Sequence, residues 1–132
     1  MAKSTKRNTG KNRFVVHKHD ATTPHFDFRL EMDGVLRSWA VPKGVSKTSG
    51  VKRLAIPTND HSLDYIDFEG KIPEGEYGAG LVEIFDSGVY AMIERKEASL
   101  KFELYGKVLK GTYVLHNFQG KNWILFQMKK EK

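Results

Sequence analysis

Two histidines and an aspartate within nine positions have side chains that could hold a metal ion. His25 and Asp27 belong to residues 25–32, where polar and apolar residues alternate strictly. Because successive strand side chains point to opposite faces, His25 and Asp27 must share a face. His19 precedes them across a five-residue connection and can converge with them. Two imidazoles and a carboxylate on a sheet suit Mn, Fe or Zn with open coordination positions, although a single histidine in a strand is more often structural.

Arg29 extends the same polar face by one step. A face that carries histidine, aspartate and arginine is costly to bury unless the charges have partners or a ligand. An arginine beside a metal ion can bind phosphate oxygens bidentately, which favours phosphoryl chemistry over oxygen activation. The alternative is a surface ion pair between Arg29 and Glu31 or Glu69.

Two further candidates lie in the polar segment 59–65. His61 could donate a hydrogen bond to a phosphate or act as a general acid. Tyr65 follows four residues later, which is one turn away if this segment is helical. His17 and His116 lie in apparent strands without a supporting cluster, and we interpret both as structural.

The loop 69–80 contains four glycines, but their spacing matches neither a Walker loop nor a dinucleotide fingerprint. Its acidic residues also argue against a phosphate cradle. We therefore interpret it as a structural loop, with Glu74 and Glu76 as weak candidates for the outer shell of a metal site.

Short alternating segments separated by turn signals every ten or so residues predict a small all-β sandwich or barrel. Asp33-Gly34 predicts a tight hairpin, and residues 86–88 and 119–122 also look like hairpin turns. Residues 42–52 and 67–80 are predicted to be long loops, and one short helix is expected in 62–67 or 95–99. The nine candidate strands are 13–19, 25–32, 35–41, 54–58, 81–86, 89–95, 100–105, 111–117 and 122–128.

The chain has 132 residues, 39% of them hydrophobic, which predicts one domain with a sizeable core. Because cysteine is absent, disulfides, thiolate ligands and a cysteine nucleophile are excluded. No apolar run predicts a membrane span or secretory signal, so we expect a soluble intracellular protein. The net charge of +6 resides mainly in the termini. Residues 1–13 are expected to form a basic, flexible arm suited to DNA phosphates, or simply a solvated terminus, followed by one domain over 14–132.

Several segments together resemble the 3′-phosphoesterase domain of bacterial DNA ligase D and its stand-alone relatives. They are residues 17–31 (HKHDATTPHFDFRLE), 34–44 (GVLRSWAVPKG), 52–55 (KRLA), 60–65 (DHSLDY) and 68–80 (FEGKIPEGEYGAG). The resemblance is dense over residues 13–90 and looser beyond.

The resemblance implies a small closed or nearly closed β-barrel of about eight strands, with one or two short helices, long loops and a crescent groove. It implies a divalent metal, usually Mn²⁺, and removal of a 3′-terminal ribonucleoside and then a 3′-phosphate from DNA to leave a 3′-hydroxyl. By resemblance, the metal ligands are His19, His25 and Asp27. Arg29 and His61 would hold the scissile phosphate, with Lys43, Arg53 and Tyr65 around the groove.

The partners implied are DNA 3′ ends at primer-template or break junctions, with a DNA ligase, polymerase or Ku-type protein recruited in trans. We expect a monomer in the cytoplasm, associated with the nucleoid. Two other functions are considered. One is a non-haem iron oxygenase using His25, Asp27 and a distant His116. The other is a non-catalytic nucleic-acid-binding barrel of the OB type.

Overall fold

The computed structural model describes residues 12–76 and 79–129, which form one antiparallel sheet of nine strands. The strands are β1 (Asn12–Asp20), β2 (His25–Met32), β3 (Val35–Val41), β4 (Arg53–His61), β5 (Gly70–Ile72), β6 (Gly80–Lys96), β7 (Ser99–Gly106), β8 (Lys110–Gln119) and β9 (Asn122–Gln127). Their order is β1-β2-β3-β4-β9-β8-β7-β6-β5, and β1 also pairs with β6. Eight strands therefore close into a barrel, and β5 is an additional strand on β6. The predicted all-β barrel is confirmed.

The interior of the barrel is filled by alternate residues of its strands. Phe14 lies opposite Leu30, and Phe28 lies opposite Trp39, so these side chains share the inward face. All four are fully buried and belong to one apolar cluster with residues from β4 and from β6 to β9. Burying these large side chains on one face is what favours closure of the sheet. The residues between them consequently point outward.

Two of the three predicted hairpin turns, at Asp33-Gly34 and at residues 119–122, are confirmed. Asp33 and Gly34 have φ angles of 58° and 83°, the positive values that a two-residue hairpin turn of this kind needs. Gly120 and Lys121 form the turn between β8 and β9. The predicted long loop after β3 is also present. The predicted short helix is the 3₁₀ helix η1 (Leu63–Asp67), whereas residues 97 and 98 form a turn between β6 and β7.

The predicted turn at 86–88 is wrong, because β6 continues through it. Asp86 is buried, and its carboxylate accepts hydrogen bonds from the backbone N–H groups of Lys107, Val108 and Leu109. It thereby stabilises the β7–β8 connection, beside an irregularity in the β1–β6 pairing. A Cβ at Gly88 would collide with the backbone of Tyr105. Asp86 and Gly88, which suggested a turn, are therefore needed for close packing of the strands.

Residues 70–72 lie in a segment predicted to be a loop, yet they form β5, which pairs with the start of β6. Asn12 and Arg13, the last residues of the predicted arm, begin β1, and the rest of the arm lies outside the described residues. Within the described ranges, no helix is long and apolar enough to cross a membrane.

Candidate active site

The predicted polar face lies on the outside of the barrel, over β1, β2 and β3. In the strand register, His19 lies opposite His25, His17 opposite Asp27, and Arg29 opposite Ser38. These positions alternate with the core-facing residues. One face of the sheet therefore lines the barrel interior, and the other face carries the site.

A separate segment, residues 62–69, covers this outer face and is called the covering segment. Ile66, in η1, packs against Val15 and Leu36 in a second apolar cluster. Tyr65 packs against the same cluster and reaches over the polar side chains. The covering segment explains why Asp27 and Arg29 are buried although they point away from the barrel interior.

The covered face opens into a cavity of about 870 Å³. Its lining combines the predicted metal ligands, both residues predicted to hold the phosphate and an apolar wall. The lining residues are His19, Ala21, Thr22, Thr23, His25, Asp27, Arg29, Ala40, Pro42, Thr58, His61, Tyr65, Ile72, Glu76 and Ala79.

His19, His25 and Asp27 form a candidate metal centre, with one potential ligand atom from each lying within 4.8 Å of the others. His25 Nε2 lies 3.2 Å from Asp27 Oδ1, and His19 Nδ1 lies 3.6 Å from Asp27 Oδ2. The other nitrogen of each ring is hydrogen-bonded to a backbone carbonyl. His19 Nε2 donates to Ala79 O at 3.1 Å, and His25 Nδ1 donates to Thr23 O at 3.0 Å.

These hydrogen bonds decide which atoms face the centre. A neutral imidazole carries one proton, so donation to a carbonyl leaves a lone pair on the other nitrogen. His19 and His25 then both direct lone pairs at the Asp27 carboxylate, an arrangement of acceptors that favours a cation between them. Imidazoles oriented by backbone carbonyls are typical of metal sites. The donor set therefore fits a divalent metal ion.

Arg29 is held by several hydrogen bonds at the centre of the site. Its Nη2 donates to Asp27 Oδ2 at 3.3 Å and its Nη1 donates to Ser38 Oγ at 2.9 Å, while His61 Nδ1 lies 3.2 Å from Nη1 and donates to Asn59 O at 3.0 Å. Its guanidinium carbon lies 4.9 Å from the centroid of the Tyr65 ring. With 3% of its surface exposed, Arg29 is a fixed cation in the wall of the cavity.

The alternative surface ion pairs of Arg29 are not formed. Glu31 instead pairs with Arg13, and Glu69 accepts a hydrogen bond from the backbone N–H of Ile84. Glu69 thus attaches the covering segment to β6.

The sequence predicts a structural role for His17 without a supporting cluster, but the structure connects it directly to the site. Its Nδ1 accepts a hydrogen bond from Arg29 Nε at 3.0 Å, and its Nε2 donates to Phe68 O at 3.0 Å. Burial, together with the Arg29 charge, lowers the pKa of His17 to about 4, so the ring is neutral. His17 therefore links Arg29 to the covering segment. Its two-residue spacing from His19, which puts both on one face of β1, was the signal that could have found it.

His61 and Tyr65 come together, although His61 ends β4 and Tyr65 lies in η1, so they do not share the helix that the four-residue spacing assumed. Their rings stack with centroids 4.7 Å apart, and Tyr65 stacks in turn on Phe68 at 4.9 Å. Burial, and then the Arg29 charge, lower the pKa of His61, which keeps its imidazole neutral. Burial raises the pKa of Tyr65, which keeps its hydroxyl protonated. Both side chains line the cavity.

Lys43 and Arg53 are not among the cavity-lining residues. Arg53 Nη1 donates to the backbone oxygen of Lys43 at 2.9 Å, and the Lys43 side chain is exposed next to Pro42, which does line the cavity. Their predicted roles stay predictions.

The structure distinguishes the two acidic candidates of the loop 69–80. Glu76 lines the cavity and Glu74 does not.

His116 is exposed on β8, opposite Ile124 of β9. It belongs to neither the metal cluster nor the cavity lining, so the triad of the oxygenase hypothesis is not formed among the described residues.

Comparison with known proteins identifies the family. Residues 17–117 match the DNA Ligase D 3′-phosphoesterase domain. The chain belongs to this family. Its members are named for hydrolysis of 3′ phosphoesters, so this 3′-phosphoesterase domain is a phosphoester hydrolase, and the preference for phosphoryl chemistry over oxygen activation is confirmed.

Similar curated proteins are much longer. The "Multifunctional non-homologous end joining protein LigD" of Pseudomonas aeruginosa is 46% identical over 136 aligned positions, covering 96% of this chain and 16% of the relative. The "Multifunctional non-homologous end joining DNA repair protein LigD" of Mycobacterium tuberculosis is 46% identical over 125 positions, covering 92% and 16%. The corresponding protein of Mycolicibacterium smegmatis is 41% identical over 136 positions, covering 94% and 18%. The 3′-phosphoesterase domain thus spans less than a fifth of these relatives.

Proposed function

We propose that this domain is a divalent-metal-dependent phosphoesterase that processes DNA 3′ ends. It removes a 3′-phosphate, and a 3′-terminal ribonucleoside where one is present, and leaves a 3′-hydroxyl for repair synthesis and ligation. The observation that carries the proposal is that three metal-type donors share one cavity with Arg29 and His61. The names of the relatives, which refer to end joining, support DNA as the substrate.

We assign the metal ligands to His19, His25 and Asp27. A divalent cation bound there would polarise a phosphate oxygen and lower the pKa of a bound water. Two imidazoles and one carboxylate accept several divalent metals, and the family resemblance favours Mn²⁺.

Arg29 and His61 hold the phosphate. The guanidinium of Arg29 is oriented before substrate arrives, so it can neutralise charge that grows on the phosphate oxygens without reorganisation. His61 Nδ1 donates to the Asn59 carbonyl at 3.0 Å, so Nε2 is the nitrogen at which His61 can take up a proton. From there it can be donated to a phosphate oxygen or to the leaving oxygen as the ester bond breaks.

Tyr65 positions these two groups, because its ring contacts both Arg29 and His61. Lys43 and Arg53 are assigned to the edge of the groove, where they attract the phosphates adjoining the one being cleaved.

The proposed substrates are DNA 3′ ends at primer-template or break junctions. A ligase, a polymerase or a Ku-type end-binding protein would act on the same ends, as the end-joining names of the relatives suggest. We propose that the domain works as a monomer, in the cytoplasm at the nucleoid.

The test is cleavage of a labelled primer-template that ends in a 3′-phosphate or in one 3′-ribonucleotide. Wild type, His25→Ala and His116→Ala are compared with Mn²⁺ and with a chelator. His116→Ala is the matched control, because it removes an exposed histidine far from the cluster along the sheet. We expect Mn²⁺-dependent formation of a 3′-hydroxyl by wild type and His116→Ala and none by His25→Ala. Equal activity of His25→Ala, or full activity in the chelator, would overturn the proposal.

A further inference from the structure

A chain segment free of acidic residues runs past the cavity. Residues 34–59 contain no aspartate or glutamate. We define the basic surface as Lys43, Lys47, Lys52 and Lys129, all of which are exposed. Lys43 follows Pro42 of the cavity lining, so this surface begins at the mouth of the cavity.

The loop that carries three of these lysines is anchored to the barrel. The Tyr113 hydroxyl donates to Ser46 O at 2.9 Å, and the Gly50 N–H donates to Gln127 O at 2.8 Å. Arg53 closes the base of the loop through its hydrogen bond to the Lys43 carbonyl. The lysines are therefore presented by a loop with fixed attachment points.

The chain after β9 adds the fourth lysine to the same surface. Gly50 has a φ of +84°, and a Cβ there would lie 2.9 Å from Lys129 Cε, so the Lys129 side chain lies against Gly50. Lys52 Nζ lies 5.6 Å from the centroid of the Phe126 ring, a contact with an aromatic face rather than with a carboxylate.

Among the described residues, no ion pair neutralises these lysines. The ion pairs found in the described ranges use Arg13, Arg29, Arg95 and Lys96 as the permanently charged cations, and none uses a lysine of the basic surface. Ammonium groups on one surface repel one another, and a polyanion would relieve this repulsion.

We propose that the basic surface binds the phosphate backbone of duplex DNA adjoining the 3′ end held in the cavity. This proposal rests on the proposed function. Lysines are point charges that contact phosphates without reading bases, which suits an enzyme that acts on ends of any sequence. Binding of single strands relies on exposed aromatic platforms. The large hydrophobic residues exposed in this stretch, Val51 and Leu54, are aliphatic, which favours a duplex.

The test compares two triple variants of the full chain that remove equal charge. The first, Lys47→Gln/Lys52→Gln/Lys129→Gln, removes the basic surface but keeps Lys43, which is assigned to the groove. The matched control, Lys96→Gln/Lys107→Gln/Lys121→Gln, removes three exposed lysines at other turns of the barrel. Thermal unfolding checks that both variants fold like wild type.

Binding is measured by fluorescence anisotropy over a range of salt concentrations, on a primer-template with a 3′-hydroxyl that the enzyme does not cleave. We expect the first triple variant to bind on the order of 100-fold more weakly at about 0.1 M salt, with a salt slope shallower by about 2.7, or about 0.9 per lost phosphate contact. The control variant should bind almost like wild type. Equal weakening in both variants, or none in the first, overturns the proposal. Weakening confined to a single-stranded oligonucleotide also overturns it, in favour of strand binding.

Kinetics on the 3′-phosphate primer-template separate this proposal from the proposed function. We expect the first triple variant to raise KM and leave kcat unchanged. If wild type cleaves nothing, the proposed function fails while the binding comparison still decides the role of the surface. If wild type cleaves and the variant's KM is unchanged, the basic surface is wrong and the proposed function stands.

Discussion

Replacement of His17 by leucine tests whether Arg29 depends on the imidazole beside it. The substitution places an apolar side chain of similar size in β1 and removes both hydrogen bonds. The Nε–H of Arg29 then lacks the acceptor at 3.0 Å, and the carbonyl of Phe68 lacks its donor. The first loss affects a buried cation, and the second loosens the covering segment.

The expected cost follows from these two bonds. A hydrogen bond from a charged donor contributes about 1.5–3 kcal/mol and a neutral one about 1 kcal/mol. We therefore expect His17→Leu to lower the free energy of unfolding by about 2–4 kcal/mol. Because misplacing a positioned catalytic group by about 1 Å can reduce the rate about 100-fold, kcat for the 3′-phosphate substrate should fall by a factor of that order.

His17→Gln is the matched variant, because its amide oxygen can accept from Arg29 while its N–H group donates to Phe68. We expect it to cost less than about 1 kcal/mol and to keep most of the activity. Urea denaturation gives the stability, and initial rates on a 3′-phosphate primer-template give kcat and KM. The reasoning fails if His17→Leu is as active as wild type, or if His17→Gln loses as much as His17→Leu.

Three further predictions follow. Asp86→Ala should lower the free energy of unfolding by about 3 kcal/mol, because three backbone N–H groups lose their acceptor, and an unchanged urea midpoint would contradict this. Burial raises the pKa of Tyr113 to about 12. The unfolded chain therefore loses this proton first, and wild-type stability should fall more steeply above pH 10 than that of Tyr113→Phe, as urea titrations at several pH values would show. Gly80→Ala should weaken Mn²⁺ binding about 10-fold in calorimetry, because its Cβ would lie 2.5 Å from a backbone oxygen at the end of β1, next to the carbonyl that orients His19. Gly75→Ala, also at positive φ but with open space around its Cβ, is the control and should bind like wild type.

The alternation in residues 25–32 predicted the centre of the site because period-two spacing determines which side chains share a face. His25, Asp27 and Arg29 needed only this local rule to be grouped. The Asp33-Gly34 turn was predictable for the same reason, since its positive φ angles are a local requirement. The structure confirms that these three side chains share a face and that the turn forms.

The errors arose where distant contacts decide the conformation. Asp86 resembled a turn residue, but its carboxylate is used by backbone groups some 20 positions later, at Lys107 to Leu109. Strand β5 is only three residues long and depends on pairing with β6, so its own sequence carries little signal. His17 could be placed on the correct face but not beside Arg29 Nε, because that contact depends on the side-chain geometry of both residues.

The location of the site on the outer face also has an electrostatic consequence. A solvated surface would screen Asp27 and Arg29, whereas the covering segment buries them and strengthens every interaction around them. With His17 and His61 kept neutral, the charges of Asp27 and Arg29 cancel. The centre therefore has no excess charge of its own to hold a phosphate monoester, which carries about −1.5 to −2 at neutral pH. A divalent cation on the His19, His25 and Asp27 donors would supply the positive charge that the phosphate needs and that the Glu76 carboxylate of the cavity lining cannot supply. Metal binding and phosphate binding should thus be coupled, with Asp27 shared between the ion and Arg29.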